Sequence, residues 1–372
     1  MLFIPGDRVY CWWNQVNECE ILKTAILTIQ SVNYGNRLQN YALQTVLENC
    51  GNCVESLGRE AGFRGSTITK FKTAKRWLDA LRHRHDILGS FCHFDTQFVC
   101  FSNAVVSKEY VTPNLASSYD SFVIGSDQVW NPDFDFNSEL EYLPMVPSEK
   151  KIAYAASFGV SEITENREKT AELLDGIKSI SVREVAGADI VRDLTGRDVP
   201  VVLDPTLLLD PSDWEKVSVK PGKVDCRNPY VFKYVLGNDV NGERIAALAA
   251  SRGFEVIDVM DDALAIGPSE FVWLIAHSDL VCTDSFHASV FALLHHRPLA
   301  VYERVSADAD MSSRFDTLCS NFGLVGHRSS EAAFGEEAIF GTNWDDVELR
   351  LAALRESSLA WLRGALDGVA RG

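Results

Sequence analysis

Residues 278–298 read SDLVCTDSFHASVFALLHHRP, and the order of apolar and polar residues in this stretch decides the fold class. Leu280-Val281-Cys282 is a short apolar run of the kind that ends a buried strand. Thr283-Asp284-Ser285 supplies side chains that cap helix N-termini. Phe286, Val290, Leu293 and Leu294 recur at i, i+4, i+7 and i+8, which predicts an amphipathic helix. Pro298 stops it, and residues 299–302 read as the next strand. The unit is strand, tight turn, helix, strand. Its turn puts Asp284, Ser285 and His287 at a helix N-terminus, where free N–H groups and the helix dipole favour an anion. The same residues also read as a plain capping turn with a surface histidine.

The βα alternation extends through the chain. Residues 23–30 predict a strand, 31–36 a turn around Gly35, and Leu38, Tyr41, Ala42, Thr45 and Val46 a helix that Gly51 ends; 53–57 is the next strand. Asn33, Asn36 and Gln39 stand at the entrance of that helix, suited to sugar hydroxyls or simply to capping. Residues 121–125 predict a strand that opens into Ser126-Asp127-Gln128-Val129-Trp130-Asn131-Pro132. Polar groups past the carboxyl end of a buried strand are where α/β folds place ligands. Residues 151–155 and 179–182 are further strands around a helix at 166–178, the last strand delivering Arg183 and Glu184. Arg183 could fork onto a carboxylate or phosphate, or pair with Glu184. Residues 200–209 predict a strand and a Pro turn that close a first domain.

A second domain follows, with strands at 230–236 and 255–259, helices at 242–252 and 269–277, and then the opening unit. Ser312-Ser313-Arg314 caps another helix; a cation in that first turn opposes the dipole, and a facing anion would account for Arg314. The expected organisation is an extension at 1–21, domains at 22–209 and 210–343, and a C-terminal helical segment at 344–372. Residues 59–115 show little regularity. Within them 70–85 is a basic run, from Lys70 to Arg84 and His85, with Phe71, Trp77, Leu78 and Leu81 as its apolar side. It reads as a solvated helix face, with docking of an anionic surface as the alternative.

Bulk composition narrows the function classes. The 372 residues carry a net charge of −17, from 52 acidic and 35 basic side chains. That argues against non-specific binding of nucleic acid or anionic membrane, while leaving room for a small anion held by a few converging cations. No apolar run approaches the roughly 20 residues of a membrane helix, and the start lacks the basic region of a secretory signal. The nine cysteines lie mostly within apolar runs, as reduced thiols of a cytoplasmic protein do. Cys50-Gly51-Asn52-Cys53 has C-x-x-C spacing, but it closes a helix where a redox site would open one, and no second pair completes a zinc site. No metal and no cofactor are expected, and no G-x-G-x-x-G fingerprint is present.

Taken in order, Asn33-Tyr34-Gly35-Asn36-Arg37-Leu38-Gln39, Gly125 to Asn131, Ser181-Val182-Arg183-Glu184, Asp204-Pro205-Thr206, Asp284-Ser285-Phe286-His287 and Ser313-Arg314 resemble the polysaccharide pyruvyl transferase family. The resemblance covers roughly residues 23 to 325. It implies an α/β fold of two Rossmann-like domains facing a cleft, like that of GT-B glycosyltransferases. It also implies transfer of pyruvyl from phosphoenolpyruvate onto a sugar or glycan, free or lipid-linked, as a ketal. His287 and Arg183 are the residues it implies at phosphoenolpyruvate. Some members carry an Arg where this chain has Ser285, and a Gly is common where Ala288 stands; Arg314 is then the candidate to replace the missing cation.

Ketal formation needs cations on the donor's phosphate and carboxylate, a general acid and a general base. His287 is the candidate phosphate ligand or acid, with Ser285 in the donor turn, and Arg183 and Arg314 as anion holders. Asp284, Glu184 and Asp127 compete for the base, and Asn33, Asn36, Gln39, Asp127 and Gln128 would orient the acceptor. The alternatives are a nucleotide-sugar glycosyltransferase of the same build and a carbohydrate-binding relative without catalysis.

Overall fold

The computed structural model describes residues 21–60, 87–135, 137–304 and 312–370. The basic run at 70–85 and nearly all of the extension at 1–21 lie outside the described residues. Seven strands form the first sheet: β1 (Lys23–Leu27), β2 (Cys53–Gly58), β3 (Phe101–Ser107), β4 (Tyr110–Val111), β5 (Ser121–Ile124), β6 (Lys151–Ala156) and β7 (Ser179–Val182). Their order is β4-β3-β2-β1-β5-β6-β7, parallel except for the β3–β4 hairpin. The second sheet has four parallel strands, β8 (Tyr230–Tyr234), β9 (Glu255–Asp258), β10 (Leu280–Thr283) and β11 (Leu299–Val301), in the order β11-β10-β8-β9. The order in which strands are added reverses between β1 and β5 in one sheet and between β8 and β10 in the other. Such switch points leave a crevice at the strands' carboxyl ends. The two crevices open towards each other, so two Rossmann-like domains face a cleft, as expected.

The helices that frame the cleft are α1 (Tyr34–Asn49), α2 (Ile87–Phe98), α3 (Arg167–Asp175), α4 (Val185–Thr195), α5 (Pro211–Glu215), α6 (Gly242–Arg252), α7 (Pro268–Ala276), α8 (Phe286–Leu294), α9 (Ser312–Phe322), α10 (Glu336–Phe340) and α11 (Trp344–Ala370). Three expectations change. Helix α8 was expected to be amphipathic, but all of its residues are buried. It packs on its own sheet and on α1, α7 and the Pro205–Leu208 turn, so no face of it lies on the outer surface. Residues 200–209 form no strand beyond a bridge from Val201 to Val182, because Pro205 opens a 3-10 turn capped by Asp204. Residues 87–107, taken as irregular, hold α2 and β3.

Interior contacts lock the halves together. Tyr34 at the start of α1 stacks on Phe271 of α7, ring centroids 4.2 Å apart, and its hydroxyl donates to the Ile266 carbonyl at 2.9 Å. Helix α11 crosses back to the first sheet: Ser358 Oγ accepts from the Leu203 N–H, and Trp361 packs against Tyr154 of β6. Among the described residues no helix is long and apolar enough to cross a membrane.

Because Tyr34 fills the seam between the halves, Tyr34→Ala should lower the free energy of unfolding by about 3–5 kcal/mol. Tyr34→Phe, which leaves only the Ile266 carbonyl unmet, should cost about 1 kcal/mol. Urea titration followed by tryptophan fluorescence reads both.

Candidate active site

Between the two crevices lies a cavity of about 500 Å³. The first domain lines it with Ser31 and Asn33 after β1, Asn36 in the first turn of α1, and Asp127, Gln128, Asn131 and residues 133–135 after β5. The second contributes Ser285, Phe286 and His287 after β10, Arg304 after β11, and Arg314 from α9.

The second domain supplies the cations. Ser285 caps α8, its Oγ accepting from the Ala288 N–H at 3.5 Å, which sets His287 in the first turn. The imidazole lies flat against Gly35: a Cβ there would fall 2.1 Å from Nδ1, so only glycine admits the ring. His287 Nε2 stands 3.5 Å from Asp204 Oδ2, is buried, and makes no hydrogen bond among the described residues. Arg304 is aimed by Asp284: its Nε donates to the carboxylate at 3.2 Å and a terminal nitrogen donates to the Asp284 carbonyl at 3.1 Å. Asp284 also accepts from the backbone N–H groups of Leu236 and Gly237, each at 2.8 Å. Arg314 is buried on the wall; burial, then the Arg183 charge nearby, brings its guanidinium down to about 10, still protonated at neutral pH. The Phe286 ring lies between two guanidinium groups, 4.5 Å from that of Arg183 and 5.8 Å from that of Arg314. Its π-faces offset part of the repulsion between them.

Carboxylates and amides form the opposite wall. Asp127, at a left-handed φ of 70°, accepts from Arg183 at 3.2 Å, from the Gln128 N–H at 2.9 Å, and from the Asn36 amide. Ser31 Oγ donates to the other end of the Asn36 amide, so its orientation is set. Burial alone would raise Asp127, but Arg183, His287 and Arg314 outweigh it and hold the carboxyl below its usual range. Behind this wall Asp204 is a hub. Oδ1 accepts from the Thr206 N–H at 3.0 Å and hydroxyl at 2.7 Å; Oδ2 accepts from Arg183 at 2.9 Å and Ser126 Oγ at 3.1 Å. Burial opposes its charge, yet His287, Arg183 and Thr206 hold it far below the ordinary carboxylate range.

Seven expected residues therefore meet on the cavity wall: Asn33, Asn36, Asp127, Gln128, Ser285, His287 and Arg314. Four stand off it. Gln39 is buried with its amide spent on Thr28 Oγ1, the Asn36 carbonyl and the Ser126 N–H, which makes it a brace between α1 and the loop after β5. Arg183 lies one layer back, neutralising Asp127 and Asp204, because two buried carboxylates demand a cation more strongly than an open cavity does. Glu184 accepts from the Phe158 N–H at 3.1 Å, and its other oxygen is 3.9 Å from Arg183 Nε, beyond hydrogen-bond length. Asp284 has its oxygens committed to two backbone donors and Arg304. Of the three candidate bases, Asp127 alone lines the cavity. Arg304 went unnoticed, since no spacing in the sequence sets it apart from a surface arginine. Among the described residues no group of three or more His, Cys, Asp or Glu side chains is arranged to hold a metal ion.

The sequence profile of the polysaccharide pyruvyl transferases matches residues 33–304. The chain belongs to that family of transferases. The match runs from the start of the α1 turn to Arg304 and so contains most of the cavity wall, though not Arg314. Among curated proteins no sequence matches the chain. Two of the solved structures to which it is similar are a UDP-N-acetylglucosamine 2-epimerase from Rickettsia bellii and the spinosyn rhamnosyltransferase SpnG. The epimerase is 10% identical, with a TM-score of 0.44 over 95% of this chain and 99% of that one. SpnG is 12% identical, with a TM-score of 0.40 over 91% of this chain and 96% of that one.

The contact at Gly35 makes a direct test. Gly35→Ala should leave the far-UV spectrum intact and push the imidazole off its seat. Nitrogen-15 spectra of histidine-labelled protein should then show one displaced imidazole signal, the one that His287→Ala deletes.

Proposed function

We propose that the protein transfers pyruvyl from phosphoenolpyruvate to a sugar of a polysaccharide or its precursor, forming a cyclic ketal. The observation that carries this reading is the division of one cavity into a pole of two guanidinium groups and an imidazole and a wall of a carboxylate and amides: Arg304, Arg314 and His287 on one side, Asp127, Asn36 and Gln128 on the other. A donor with a phosphate and a carboxylate has two anions to place, and the cationic pole offers charge for both. Sugar hydroxyls match the amide and carboxylate wall.

Arg304 and Arg314 hold the donor's anions, with the Ser285 hydroxyl beside them at the N-terminus of α8. His287 delivers a proton to the methylene carbon of the enol, leaving cationic character on the carbon that bears phosphate. A sugar hydroxyl bonds to that carbon, and Asp127, ionised because of its cationic neighbours, receives the hydroxyl proton. Phosphate leaves as its bond to the same carbon breaks, and a second hydroxyl closes the ring, its proton passing to the imidazole of His287 that gave one up at the start. Asn33, Asn36 and Gln128 orient the two hydroxyls. Arg183 steadies Asp127 from behind.

Purified protein incubated with phosphoenolpyruvate and a panel of glycans should release phosphate only when an acceptor is present. His287→Ala should lower kcat by about 10²–10⁴-fold. Arg304→Gln, which removes a charged donor from the anion pole, should raise the KM for phosphoenolpyruvate by about tenfold or more. Turnover of nucleotide sugars instead, or glycan binding with no turnover of either donor, would overturn the assignment.

A further inference from the structure

We propose that Asp204 is a positioning residue that holds the His287 imidazole in place and sets a carboxylate opposite its Nε2 across the domain boundary, an inference that rests on the pyruvyl-transfer reading. Asp204 belongs to the first domain and His287 to the second, and Oδ2 and Nε2 are 3.5 Å apart. The carboxylate has no freedom to follow its partner. Thr206 holds one oxygen through both its N–H and its hydroxyl, while Arg183 and Ser126 hold the other. On its far side the imidazole is confined by Gly35. Ser126, Arg183 and Thr206 thus fix Asp204, and Asp204 and the Gly35 backbone, remote from each other in sequence, bound one ring.

Charged groups of both signs face that ring. Asp204 and Asp127 face it with negative charge; Arg183 and Arg314 oppose them, with Arg183 already shared between the two carboxylates. Arg304 is paired to Asp284. A carboxylate that stays ionised next to an imidazole stabilises the imidazolium. Burial would favour a neutral Asp204, but its neighbours hold it ionised. Asp204 and His287 come from opposite sides of the domain boundary, so their contact exists only where the two domains meet.

Asp204→Asn keeps the shape and removes the charge. The alkaline limb of the kcat/KM profile should move to lower pH by about one unit, and kcat should fall by about 10²-fold. In the His287→Ala background the same substitution should change kcat by less than about twofold, because two residues acting as one unit are not additive. In the full-length protein, the NMR signals of the His287 imidazole should respond to pH at lower values in Asp204→Asn than in the native protein. An unmoved alkaline limb, unmoved imidazole titration, or additive losses in the double variant would each overturn the proposal. Should Asp204→Asn not fold, Asp204→Glu retains the charge for Arg183 while shifting the oxygen away from Nε2. It should lower kcat by about tenfold without changing the donor KM, and native kcat would count against positioning. If the native protein releases no phosphate from phosphoenolpyruvate, the functional reading fails, and the imidazole titration still decides the role of Asp204.

Discussion

A guanidinium with almost no access to water sits at the centre of this structure. Arg183 is 4% exposed and divides its donors between Asp127, in the loop after β5, and Asp204, in the loop after α4. None of the three charges could be buried alone; removing one partner of such a group typically costs about 3–5 kcal/mol. Together they fix the two loops that form the floor of the first domain's crevice. The wall of the cavity is then built on charges that cannot rearrange. This is also why Arg183 faces the protein: its partners need it more than an incoming anion would.

The second domain meets that floor through a helix start. Helix α8 is buried on every side, so its first turn cannot tilt towards solvent, and Ser285 and His287 are delivered at a fixed height above Asp204. Phe286 between them lies against Arg183 of the other domain. The same residue thus separates the cations and welds the domains. Asp284 does comparable work at the rim, clasping the β8 loop and Arg304 in one carboxylate.

The βα alternation was readable wherever an apolar run was followed by capping chemistry. Around β1 and α1, β5, β7, β8, and β10 and α8, strand and helix starts fall within a few residues of their expected places. It failed at 87–107, where only two buried residues, Phe91 and Phe94, carry the apolar face of α2. It failed again at 200–209, where the β-branched and apolar pattern is spent on packing against α1 and α8 through a 3-10 turn. Among the candidate residues, a place after a strand end did not by itself decide access: Asp127 and Ser285 reached the cavity, while Arg183 and Asp284, directly after β7 and β10, did not. Gln39, Glu184 and Asp284 have the same chemistry but different neighbours, and hydrogen bonds to buried backbone claimed them first.

The sequence by itself determined the α/β class, the two-domain plan, the acidic net charge, and the turns that carry His287, Asp127 and Asn36. These are local properties, written in periodicity, capping residues and glycines. Only the tertiary structure decided which cations face the cavity and which are consumed by buried carboxylates. It moved Arg183 behind the wall, brought Arg304 onto it, and set Asp204 beside His287 across 83 positions of chain. The physical reason is that a charge's role depends on who desolvates and who neutralises it, and both come from segments far away in the sequence.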